Sequence, residues 1–146
     1  MAIEKKKTEV DLEELASAIE DQGEGISFYV DRETGNVVLV TVDSDDKDLP
    51  VPREEIEDSA RFVLVDPEDT DEAFRDMEDF AATVPHSFLR VQLEDALDGD
   101  GPFAGFRGVL KEEPEERKRW FAFKRERLEM RAREWLEAEG FGWRKK

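Results

Sequence analysis

The chain has no cysteine and a single histidine among its 146 residues. Without thiols there is no disulfide, no thiolate nucleophile, no cysteine-ligated zinc and no iron–sulfur cluster. The lone imidazole, His86, lies between Pro85 and Ser87 and has no second His or Cys with which to share a metal or a proton relay, so its place predicts a helix start. Nowhere do 18 apolar residues follow one another, which leaves no spanning helix to read. The charged start from Met1 to Lys7 is not followed by the apolar run of a secretory signal. The expectation is a cytoplasmic protein with no membrane partner. Basic charge is scarce as well: 22 Lys and Arg face 39 Asp and Glu, for a formal net charge of −17. A field of that sign opposes unaided binding to duplex DNA or to an anionic membrane.

What is present is enough to fold. Leu, Ile, Val and Phe make up about 25% of the chain, above the roughly 20% below which a highly charged sequence stays disordered. The length predicts one α+β domain over 1–146, with residues 1–7 flexible, 43–60 an acidic loop and 141–146 a frayed tail. The charge is unevenly placed. Residues 1–99 carry 9 bases and 29 acids, whereas residues 100–146 carry 13 bases and 10 acids. Two readings stay open: an acidic overlay that keeps the protein hydrated in high salt, or a C-terminal surface kept neutral to basic because it meets something acidic.

Hydrophobic spacing predicts the elements. Thr8 followed by Val10, Leu12, Leu15, Ala16 and Ile19 predicts a capped first helix. Ile26–Asp31 and Asn36–Val42, joined at Gly35, predict a β-hairpin. The second hairpin strand, apolar on both faces, is expected at the sheet centre with a third strand, Arg61–Val65, beside it. Thr70 is expected to cap a helix whose stripe is Ala73, Phe74, Met77, Phe80, Ala81 and Val84, opposite Asp71, Glu72, Arg75, Asp76, Glu78 and Asp79. Three more helices follow, from about Ser87, Phe103 and Pro114, the last closing at Gly140. The fold class is therefore a small antiparallel sheet, a hairpin plus a third strand, preceded by one helix and followed by three to four C-terminal helices.

Several motifs fail on their spacing. Asp43, Asp45 and Glu54 occupy the first, third and twelfth places of a calcium loop. Lys47, Asp48 and Pro50 then stand where a ligand, a glycine and an unbroken loop are required. Gly99, Gly101 and Gly105 follow a helix, not a strand, and the third glycine comes one place late for a dinucleotide fingerprint; a phosphate cradle with Arg107 or a tight interhelical turn remain as readings. No serine lies in a nucleophile elbow, and carboxylates are too numerous for any pair to point to a glycosidase. No metal or cofactor is called for, and a carboxylate hydrolase is a distant reading.

The last helix is richer. At 100° per residue, Phe121, Leu128, Ala132, Trp135 and Leu136 form the expected core stripe, with Phe123 and Met130 nearly opposite as a candidate interface for self-association. Trp120, Lys124, Arg127 and Arg131 share a third strip, an aromatic among cations that could stack on bases and neutralise phosphates; half-buried core edged by solvated charge is the alternative.

Ala96-Leu97-Asp98-Gly99-Asp100-Gly101-Pro102-Phe103-Ala104-Gly105-Phe106-Arg107, then Trp120-Phe121-Ala122-Phe123 and Glu134-Trp135-Leu136, resembles an uncharacterised bacterial protein family, the one catalogued as number 158. Met77-Glu78-Asp79-Phe80 and the hairpin at Gly35-Asn36-Val37-Val38 are similar to it too. Gly99, Gly101, Phe103, Phe106 and Arg107 match the family's turn, whereas Pro102, Ala104 and Gly105 depart from it and lose two arginines. The resemblance implies one coherent fold and supplies no catalytic residues. The function expected is a non-catalytic binding or regulatory module. Its contact surface is the last helices with the turn from Gly99 to Arg107, and its partner a protein, self or other, with nucleic acid as the alternative.

Overall fold

The computed structural model describes residues 7–145. It is an α+β protein in the order β1 (Glu9–Asp11), α1 (Leu12–Glu20), β2 (Ile26–Asp31), β3 (Val37–Thr41), α2 (Arg53–Asp58), β4 (Phe62–Leu64), α3 (Thr70–Thr83), α4 (Ser87–Leu97), α5 (Pro102–Lys111), α6 (Pro114–Glu139) and β5 (Gly142–Arg144). The expectation for 1–7 falls, apart from Lys7, outside the described residues. Where the length predicts one domain, the chain divides into two compact units, each with its own core. Residues 1–67 with 128–146 form the first, and 68–127 the second.

In the first unit Asp11 ends β1 and caps α1, its carboxylate accepting from the backbone N–H of Glu13 and Glu14 at 3.0 and 3.1 Å. Glu9–Asp11 therefore extends as a strand, and the helix starts three places later than a Thr8 cap would have it. An antiparallel sheet of order β3-β2-β4 follows. The expected order is corrected here: β2 is central and β3 is an edge, its Val38 and Val40 buried while Leu39, on the opposite face, is 47% exposed. Between β3 and β4 the acidic segment is not all loop, since it holds a 3₁₀ turn at Asp46–Asp48 and α2, whose Ile56 is buried. The carboxyl-terminal residues are also corrected. Phe141 is 2% exposed and Gly142–Arg144 pair with Glu9–Asp11 as a parallel two-stranded sheet. A short apolar run after the Gly140 turn, at φ +83°, is what lets the chain fold back. Val10, Leu12, Leu15, Val30, Val65, Leu128, Ala132, Leu136 and Phe141 make the core of this unit.

Gly35 is the residue the hairpin cannot replace. It sits at φ +78°, and a Cβ there would collide with the Glu9 carbonyl. Beside it, Asp31 is 3% exposed and takes both a 2.9 Å hydrogen bond from Arg61 Nε and a 2.8 Å bond from Arg61 Nη2. These bonds, helped by the backbone N–H of Glu33 and by Thr34, hold its carboxyl at about 2 against an ordinary 3.8, despite burial pushing the other way.

The second unit is helical. Asp69, one residue before Thr70, caps α3, and His86 caps α4 by accepting from Leu89 N–H at 3.3 Å through Nδ1. Phe80, Phe106 and Trp120 meet edge to face, with ring centroids 5.1 to 6.3 Å apart. Met77, Leu93 and Leu110 pack around them. Asp76 departs from the exposed face expected of it: it is 1% exposed, 3.7 Å from Arg127.

Candidate functional site

The second unit is where most of the residues singled out from sequence lie, and its aromatic core decides what each can do. Trp120 is 6% exposed, with the Phe80 centroid 5.3 Å and the Phe106 centroid 5.1 Å from its own. Its ring is core, so the base-stacking platform expected of it is corrected. Phe106, expected in the contact surface of the turn, is wholly buried in the same core. Phe123 is half-buried against this cluster, stacked on Trp120 at 6.2 Å under the guanidinium of Arg127. It is therefore not a free interface residue, whereas Met130 is 38% exposed. Arg127 pairs with Asp79 at 3.1 Å, and Lys124 and Arg131 are engaged by neighbours as well. A strip whose cations are already satisfied and whose aromatic is buried offers little to a phosphate backbone.

Five of the expected residues do converge. Phe103, Phe106, Arg107, Trp120 and Lys124, with Asp76, line a cavity of about 40 Å³, room for a water or two. Gly99 and Gly101 form the turn before α5 and are not among the residues that line this cavity. Gly105 is a packing position: a Cβ there would stand 3.3 Å from the Cβ of Ala96, which brings α4 and α5 together almost backbone to backbone. The turn is thus a close helix–helix connection, and any side chain at 105 would press on Ala96.

The larger feature lies on the far side of Arg107. A cleft of about 290 Å³ is lined by Arg107, Leu110, Lys111, Arg117, Trp120 and Phe121. Its construction follows from helix spacing on either side of the break at Glu113-Pro114. Arg107 and Lys111 are four apart on α5, and Arg117 and Phe121 are four apart on α6, so each pair shares a face. Phe121, expected in the core stripe, is instead 53% exposed, its ring 5.1 Å from the Arg117 guanidinium. None of the three cations makes an ion pair among the described residues. In a chain so rich in carboxylates, three unpaired cations around an apolar floor formed by Leu110 and the Trp120 edge are the clearest concentration of unspent binding capacity. Lys111 and Phe121 are not among the expected site residues, and Arg117 enters from sequence only as a flank of the basic strip; the signal that could have joined them is this paired i, i+4 spacing around a proline.

Among the described residues no three His, Asp or Glu side chains converge as a metal site, and no helix is long and apolar enough to cross a membrane. These features define an α+β protein with a cationic, aromatic-edged cleft and no nucleophile–base pair in it. The chain belongs to an uncharacterised protein family, UPF0158, which it matches over residues 5–144. A relative from Pseudomonas aeruginosa, described as UPF0158 protein PA5073, is 33% identical over 128 residues, covering 88% of this chain and 81% of that protein. No solved structure matches this chain.

Proposed function

We propose that this protein is a non-catalytic binding module that holds an acidic protein segment in the cleft between α5 and α6. The observation that carries the reading is the convergence of Arg107, Lys111 and Arg117, all without ion pairs among the described residues, on the half-exposed ring of Phe121. Cations rimming an apolar floor suit a segment that presents carboxylates around one or two apolar anchors, since the anchor removes ring surface from water while the carboxylates meet charge. A nucleic acid is less well served. The cleft is short, the one accessible ring is Phe121, and the net charge of −17 repels a polyanion at long range.

Site-specific photo-crosslinking tests this directly. A photoreactive phenylalanine analogue placed at Phe121, compared with one at the more exposed Phe88 on α4, is expected to capture a discrete acidic protein in the native cell. Equal capture from both positions, or capture of nucleic acid from 121, would overturn the reading.

A further inference from the structure

The first unit carries a different surface, at the outer edge of β3. Hydrogen-bonded pairs alternate along an antiparallel ladder. The bonds from Asp31 N–H to Asn36 O at 3.0 Å and from Val42 N–H to Gly25 O at 3.2 Å fix which residues face β2. Asn36, Val38, Val40 and Val42 point their peptide groups inward, and Val37, Leu39 and Thr41 point theirs outward. Thr41 is closed off, its N–H donating to Ser44 Oγ at 2.9 Å and its carbonyl accepting from Arg53. The N–H and C=O of Val37 and Leu39 have no partner among the described residues. The strand, Val37-Val38-Leu39-Val40-Thr41, has no charge, no proline and no bulge, the devices by which proteins usually protect an edge. Residues of that edge line a groove of about 680 Å³ together with Glu14 of α1 and with Asp48, Leu49 and Pro50.

We infer that β3 accepts an added strand from a basic, extended peptide segment of a partner protein. Charge identifies the occupant. The groove's one cation, Arg61, is spent on Asp31 and Glu33, whereas Glu14 and Asp48 make no ion pair among the described residues. Residues 1–67 carry 19 acids against 7 bases, so a second copy of this chain, or an acidic peptide, would bring like charge to the groove. A strand with Lys or Arg at alternate places sets its main chain on Val37 and Leu39 and its cations towards Glu14 and Asp48.

The test follows amide hydrogen exchange at Val37 and Leu39 in the full chain, titrated with a ten-residue peptide alternating lysine and valine. Protection of both amides is expected to rise at least tenfold, with Val38 and Val40 unchanged. The rise should vanish with the peptide N-methylated at alternate residues, and it should fall in the Glu14→Gln/Asp48→Asn variant, which removes both charges at exposed positions and whose fold is checked by its unchanged exchange at Val38 and Val40. No added protection, or equal protection by a glutamate–valine peptide, overturns the proposal. Protection that appears without peptide and grows with protein concentration overturns it too, because the occupant is then a second copy.

Discussion

Phe141 lies beyond the last helix, in a stretch that composition alone assigns to a frayed end, and replacing it with alanine separates the two accounts. Its ring is 2% exposed, stacks on Trp135 at 6.1 Å and 11°, and lies under the Arg32 guanidinium at 5.3 Å. Removing a fully buried phenylalanine forfeits the transfer free energy of its ring and leaves a cavity, together about 3–4 kcal/mol. The loss also loosens β5, whose pairing with β1 starts one residue later at Gly142. Urea unfolding followed by tryptophan emission should therefore show the midpoint falling with the slope retained, and a drop in Tm on the order of 10 °C. A Phe141→Ala variant within about 0.5 kcal/mol of the parent would refute the packing of this end.

Further outcomes follow from single contacts. Asp31 has its carboxyl lowered to about 2 from 3.8, chiefly by Arg61, so the pair's contribution is full above the higher value and is lost as pH falls through the lower. Discounted for the partial exposure of Arg61, that is about 1–2 kcal/mol. Asp31→Asn should be less stable by that amount at neutral pH, with the difference closing as the solution is acidified towards 2; urea midpoints that stay parallel across this range would count against it. Gly35→Ala, forced to φ +78° against the Glu9 carbonyl, should cost more than about 2 kcal/mol, whereas Gly108→Ala, on an open helical position, should be neutral or stabilise by up to about 1 kcal/mol. Equal effects in thermal melts would show that neither environment matters. Acrylamide should quench Trp120 poorly, as its 6% exposure requires, and strong quenching in a variant retaining only that tryptophan would contradict its burial.

Much of this architecture is legible in the residues, and the exceptions have causes. Period and caps place α3 to α6 to within a residue or two, because Pro85, Pro102, Pro114 and Gly140 punctuate them. The first strand is hidden because Glu9-Val10-Asp11 is too short to show a period, and its partner lies over 130 residues away at Gly142–Arg144. The edge position of β3 is hidden because five apolar or neutral residues read equally well as a buried centre. The helical wheel of α6 misplaces Phe121 and Trp120 for a related reason. That helix supplies residues 114–127 to one unit and 128–139 to the other, and a single apolar stripe cannot describe a helix whose two halves serve different cores. Arg107 and Trp120 are found from sequence for the turn and the basic strip, yet the structure seats them in a cleft whose other members show in the sequence only as i, i+4 pairs on either side of Pro114.

The most direct test of the central claim is a capture experiment from native cells at native salt, with nuclease, comparing the parent chain with Arg107→Ser/Lys111→Ser/Arg117→Ser. All three side chains are exposed, so the variant should keep the parent's stability to about 0.5 kcal/mol. The account predicts a discrete acidic protein retained by the parent after nuclease and lost by the variant. An undiminished yield from the variant, or a yield that nuclease abolishes in the parent, would contradict it.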